Sequence, residues 1–111
     1  MKDITLKGEH HCGVYSIICE IAKSVYIGQS ANIRARLIQH RCNMINNEGR
    51  EYIYVKMNWH LFEYGISAFK YKIEEYVYDR NDMLAKEKEW MQRYVDNGYK
   101  LYNEATYVNY V

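Results

Sequence analysis

Three sets of side chains in this sequence have the types and spacing to do chemistry. Arg36 and His40 stand four positions apart, so a helix would place them on one face. Arginine offers a planar fork of donors, and histidine gives or takes a proton near neutrality. Such a pair could hold a phosphate, or it could be an exposed basic face. Glu87 falls at helical spacing with Met83, Leu84, Met91 and Tyr94, with Trp90 beside them. A carboxylate on a core-facing stripe is costly unless it is paired or binds a cation, so a salt bridge and a metal ion are the two readings. Tyr15 and Tyr26 make the third set. A phenol with its ordinary pKa of about 10 is a poor base, but a neighbouring arginine and a metal lower that value. Without them, both are hydrogen-bonded core tyrosines. His10, His11 and Cys12, with Cys19 or Cys42, lack any CxxC or HxxxH spacing and make a poor zinc site. Gly28 belongs to no phosphate-binding glycine loop.

The elements that must position these groups follow from periodicity. Val14 to Ile21 and Val25 to Ile27 are rich in β-branched and aromatic residues, and only Ala22-Lys23-Ser24 separates them. They read as an antiparallel hairpin whose second strand stops at Gly28. Ser30 or Asn32 can cap a first helix with Ile33, Leu37 and Met44 inward and Ile38 and Ile45 widening the stripe. Tyr52 to Tyr64 reads as a second helix with Val55, Trp59 and Phe62 inward, stopped by Gly65. Ala68 to Val77 alternates with period two and predicts a half-exposed strand. Met83 to Val95 reads as a third helix, closed by Asp96-Asn97-Gly98. Leu101 and Tyr102 could add a short extended piece. The order is ββααβα.

Composition bounds the rest. The 111 residues are 49% hydrophobic and 26% charged, which suits one folded domain and excludes an intrinsically disordered chain. Residues 1–11 read as a lead-in and 104–111 as a short tail. Net charge is +1, so bulk charge names no partner. Its distribution is uneven. Ser30 to His60 holds Arg34, Arg36, Arg41, Arg50 and Lys56 against Glu48 and Glu51, whereas Ile73 to Trp90 is predominantly acidic. One part could face phosphates and the other hold a cation, or both could be solvated faces. Three cysteines without repeated spacing argue against a disulfide framework and for a reducing, cytoplasmic location. No signal core or membrane-length apolar run is present in the sequence.

Set in order, these stations resemble the GIY-YIG nucleases. Gly13-Val14-Tyr15 and Tyr26-Ile27-Gly28 are similar to that family's two signature tripeptides, with Val14 in place of isoleucine. Gln29-Ser30-Ala31-Asn32-Ile33, followed by Arg36-Leu37 and His40, resembles its first-helix pattern. Tyr64-Gly65 and then Phe69 resemble the passage before its third strand. Glu87, three residues before Trp90, stands where the family keeps a metal-binding glutamate, and Leu101-Tyr102-Asn103 resembles its late asparagine motif. The similarity runs over about residues 12–104.

The resemblance implies a small α/β (α+β) fold, with a three-stranded antiparallel sheet flanked by helices. It implies hydrolysis of DNA phosphodiesters with Mg²⁺, for which Mn²⁺ could substitute. Tyr15 and Tyr26 would line the site, with Tyr15 helping to deprotonate the attacking water. Arg36 would hold the scissile phosphate, His40 would relay a proton or orient the nucleophile, Glu87 would bind the metal and Asn103 would fix the geometry. Arg34, Arg41 and Lys56 are the expected contacts to the DNA backbone. A lysine that some members place before the second tyrosine has Lys23 as its counterpart, and a second histidine of some members has Tyr52. With only a short tail after Asn103, no further specificity domain is expected, so the chain should nick with little sequence readout. Sharper specificity or double-strand cleavage would need a homodimer or a separate specificity-giving protein. The alternative is a degenerate family member that binds nucleic acid or protein without cutting.

Overall fold

The computed structural model describes residues 11–46 and 53–103. The expected lead-in up to residue 10, the charges of Glu48, Arg50 and Glu51, Tyr52, and the tail 104–111 lie outside the described residues. So do the side chains of Val55 and Lys56.

Gly13–Cys19 (β1) and Ser24–Ser30 (β2) form the expected hairpin, with Tyr15 opposite Gly28 and Ile17 opposite Tyr26. The Lys23 amide donates to the Glu20 carbonyl at 3.1 Å across the turn, and Lys23 takes a left-handed φ of 49°. β2 does not stop at Gly28 but runs on to Ser30. The glycine is there for room. A Cβ at this position would meet the Tyr15 Oη and Cζ at 2.4 Å and the Tyr26 Cε2 at 2.9 Å.

Phe69–Tyr76 (β3) pairs with the other side of β1 after a 3-10 turn over Ile66–Ala68. The register slips once, because Tyr15 faces Ile73 whereas Val14 faces Glu75, leaving Glu74 as a bulge. The sheet has a fourth strand beyond the three expected. Lys100–Leu101 (β4) lies parallel to Ser24 and Val25, giving the order β3-β1-β2-β4. Two residues carry no periodic signal, and it is tertiary contact that holds them, with the Lys100 amide donating to the Lys23 carbonyl at 2.8 Å.

Ile33–Asn46 (α1) and Ile53–Tyr64 (α2) cover one face of the sheet, and Arg80–Asp96 (α3) covers the other. Asn32 caps α1, its Oδ1 accepting from the Ala35 amide at 3.2 Å. Ile33, Leu37, His40 and Met44 form the buried stripe of α1, whereas Ile38 and Ile45 are 37% and 51% exposed and do not widen it. In α2 the expected rotation is wrong. Trp59 is 65% and Phe62 96% exposed, while Met57 is buried and Leu61 and Tyr64 pack beside it. This helix is apolar on several sides, so its pattern leaves the rotation open and the core selects it. Asp79 caps α3 by accepting from the Asn81 amide at 2.9 Å. Met83 is buried as expected, but its neighbour Leu84 is 53% exposed.

The sheet therefore divides two cores. Tyr15, Ile17, Cys19, Phe69 and Tyr71 face α1 and α2. Val14, Ile18, Val25, Ile27 and Val77 face α3. Among the described residues, no helix is long and apolar enough to cross a membrane.

Candidate active site

Strand alternation turns Tyr15 of β1 and Tyr26 of β2 to the α1 face. The stripe of α1 brings His40 down onto them. The three rings form a triangle, with centroids 6.1 Å apart for Tyr15–Tyr26, 5.6 Å for Tyr15–His40 and 5.4 Å for Tyr26–His40. The Tyr15 Oη lies 2.8 Å from the His40 Nε2. His40 and Tyr15 are both buried, whereas Tyr26 is half-buried and is the phenol that solvent reaches. Arg36, one turn before His40, hydrogen-bonds to Tyr15 and also donates from Nη1 to the Gln39 Oε1 at 2.7 Å.

Burial sets the protonation of this cluster. The His40 imidazole is pushed down to about 3, mainly by loss of water and further by the Arg36 charge. The Tyr15 phenol is pushed above its ordinary value, again mainly by burial and then by Tyr26, with Arg36 pulling the other way. Near neutral pH, His40 is uncharged and Tyr15 keeps its proton. With the His40 proton on Nδ1, Nε2 accepts from the Tyr15 hydroxyl.

Asn103 clamps β2 where β4 ends. Its Oδ1 accepts from the Ile27 amide at 3.0 Å, and its Nδ2 donates to the Ile27 carbonyl at 2.8 Å. The side-chain amide thus stands in for the next residue of a neighbouring strand, and it holds the backbone between Tyr26 and Gly28.

Glu87 comes from the opposite side. It is half-buried on α3, and its carboxyl is pushed up by burial, offset by a hydrogen bond from Gln29 and by the charge of Lys88. Gln29 follows Gly28 in β2, and alternation turns it to the α3 face. The tyrosines, Arg36 and His40 thus share one side of the sheet, and Glu87 meets the β2 edge from the other. Glu89 points away from this site and pairs with Arg93 at 2.7 Å.

The remaining expected residues whose side chains are described lie outside this cluster. Arg34 is exposed on α1, and Arg41 is half-buried with its charge near Tyr71. Lys23 sits at the hairpin turn with its Nζ 4.7 Å from the centre of the Tyr99 ring. All three cysteines are free, and among the described residues no three His, Cys, Asp or Glu side chains gather as a metal cage.

Two residues of this region carry no role in the sequence reading. Gln29 stands in the first-helix pattern after Tyr26-Ile27-Gly28, and that place could have pointed to its contact with Glu87. Glu74 could not be found in this way, because its burial depends on the bulge. Its side chain is 2% exposed and accepts from the Ser16 hydroxyl at 2.7 Å and from the Tyr94 hydroxyl. Those bonds tie β1, β3 and α3 together on the far side of the sheet.

A single carboxylate fits an ion that dehydrates reluctantly. Mg²⁺ is normally held by one or two carboxylates, several waters and substrate phosphate oxygens. Glu87 meets that requirement, and a dication there would offset the burial that raises its carboxyl.

A guanidinium beside a phenol–imidazole pair, on a small mixed sheet, is the equipment of a phosphodiester hydrolase, and the class is a nuclease. The family model of the GIY-YIG catalytic domain matches residues 11–100, and the chain belongs to that family. In fold it is similar to the catalytic domain of intron endonuclease I-TevI in a mutant form, with a TM-score of 0.64, 19% identity, and 81% of this chain and 92% of that one covered. The catalytic domain of homing endonuclease I-TevI also has a TM-score of 0.64, at 21% identity, covering 80% of this chain and 96% of that one. No curated protein sequence matches the chain significantly.

Proposed function

We propose that the chain is a divalent-metal-dependent DNA endonuclease that hydrolyses one phosphodiester at a time with little sequence readout. The observation that carries this reading is the 2.8 Å contact between the Tyr15 Oη and a neutral, buried His40 Nε2, with Arg36 bonded to the same phenol.

Arg36 binds the scissile phosphate and stabilises the extra negative charge of its transition state. Tyr26, the solvent-reached phenol, orients the attacking water. The water oxygen bonds to phosphorus as its proton moves to the Tyr15 oxygen and the Tyr15 proton moves to the His40 Nε2. The bond from phosphorus to the leaving strand oxygen then breaks. His40 becomes an imidazolium, which burial and Arg36 disfavour in the free protein. The negative charge of the arriving phosphate offsets the Arg36 charge and so favours the imidazolium. Glu87, held by Gln29, would hold Mg²⁺, with Mn²⁺ as a substitute. When bound, the ion neutralises charge on the phosphate and on the departing oxygen. Arg34, Arg41 and Lys56 add sequence-independent attraction for flanking phosphates, which weakens steeply with salt. One such site cuts one strand, so double-strand breaks need a second copy or a second encounter.

The test is a supercoiled plasmid incubated with Mg²⁺ or a chelator, beside Arg36→Ala and Glu87→Ala. Cleavage that requires the ion and both side chains, with open circles preceding linear product, supports the proposal. Binding of equal strength without cleavage by the wild type refutes the enzyme and leaves a binding module. Linear product at the first turnover refutes nicking.

A further inference from the structure

A cavity lies near the Glu87 site, and its Arg80 takes no part in the chemistry above. It has a volume of about 320 Å³ and is lined by Gln29, Ser30, Ala31, Arg80 and Met83. It lies between the end of β2 and the start of α3. Gln29 lines it and also bonds to Glu87, so one side chain links the cavity to that carboxylate. Arg80 and Glu87 are seven residues, two helical turns, apart on α3, and Met83 stands between them on the same side. The two backbone positions are therefore about 10 Å apart along the helix. The volume is at the lower end of ligand pockets, which start near 300 Å³, and it admits one sugar–phosphate unit.

The lining explains little unless something anionic lies there. Arg80 is exposed and forms no ion pair among the described residues. The helix cap is already taken, because Asp79 accepts from the Asn81 amide. The available charge is the side chain itself, a planar fork suited to phosphate. Within a predominantly acidic stretch, a lone arginine turned towards the Glu87 cavity draws the backbone of a strand towards the carboxylate, which would otherwise repel it.

We infer that Arg80 and the Gln29–Ala31 segment form a subsite for a DNA backbone phosphate flanking the one that is cut. This inference rests on the proposed nuclease function. Arg80 is a positioning residue. It holds the strand in register with Glu87 and touches no reacting atom.

The test separates the subsite from the chemistry. Binding of a fluorescein-labelled duplex is titrated against salt in chelator, where no cleavage occurs, for the wild type, Arg80→Ala, Arg80→Lys and Lys70→Ala. Neutralising one phosphate contributes about 0.9 to the slope of log affinity against log salt. Arg80→Ala lowers the slope by that amount, Arg80→Lys restores it, and Lys70→Ala, at the other end of the sheet, leaves it unchanged. In Mg²⁺, Arg80→Ala raises KM about fivefold with kcat within about twofold. An unchanged slope in Arg80→Ala, or an equal loss in Lys70→Ala, overturns the subsite. A wild type that never cuts, yet loses slope in Arg80→Ala, overturns the nuclease reading and leaves the subsite standing.

Discussion

Neutral His40 is a stability statement as well as a part of the proposed chemistry. Its side chain is fully buried, and its pKa falls from 6.5 to about 3. Between those values the unfolded chain binds a proton that the folded chain does not. Stability therefore rises with pH across that window, by up to about 1.36 kcal/mol per pH unit. The contribution is fully present above 6.5 and fully lost below about 3. Integrated from pH 7 to pH 5, the loss is about 2 kcal/mol. Glu87 acts with the opposite sign, since its raised carboxyl favours the folded state as pH falls. The measurement must therefore isolate the histidine. Urea denaturation of the wild type and of His40→Gln, at matched pH values from 7 to 5, does so, because Glu87 is common to both. The glutamine keeps an acceptor for the Tyr15 hydroxyl, and any packing cost is a constant offset. The wild type should lose about 2 kcal/mol more than the variant over this range. Parallel stability curves would refute the reasoning, because they would mean that His40 titrates in the folded protein as it does in the unfolded chain.

The other expectations are narrower. Glu87→Gln should abolish Mg²⁺-dependent cleavage without lowering the melting temperature, because it removes a half-buried charge; a lowered melting temperature would make Glu87 a structural residue. Gly28→Ala places a Cβ 2.4 Å from the Tyr15 Oη and should cost about 1–3 kcal/mol in urea denaturation along with most of the activity. Asn103→Ala loses both bonds to Ile27 and should cost about 1–3 kcal/mol, read by the same denaturation. Met57→Ala should destabilise by about 2–5 kcal/mol, while Phe62→Ser should stay within about 0.5 kcal/mol; the reverse order would restore the rotation of α2 that its sequence suggests.

What could be read in advance depended on how local the cause was. The hairpin was legible because β-branched density and a short polar break are local signals. The spacing of Arg36 and His40 put them on one face of α1, but the sequence left open whether that face was wet. His40 proves to be part of the stripe Ile33, Leu37, Met44, at the one position where the apolar pattern admits a polar ring. Glu87 was conspicuous because a carboxylate interrupted a stripe. Trp59 and Phe62 misled because size and hydrophobicity do not fix a rotation when Met57, Leu61 and Tyr64 compete for the same core. The contacts of Gln29 and Glu74, and the pairing of β4, are set by partners distant in the chain. No window on the sequence contains them.

The length of β4 has a consequence for the site. It covers only Ser24 and Val25 of β2, and Asn103 then satisfies the Ile27 amide and carbonyl. Past that clamp, the β2 edge continues through Gly28 and Gln29 with no strand beside it among the described residues. Gly28 admits the Tyr15 phenol from the α1 side. Gln29 holds Glu87 from the α3 side. A continuous fourth strand would separate these two faces by a wall of backbone. A two-residue strand ended by an asparagine leaves an edge at which, on the proposed function, groups from both cores would address the same phosphate. On this argument Asn103 sets the geometry by stopping the sheet, and its replacement should damage catalysis through the position of Gly28 and Gln29.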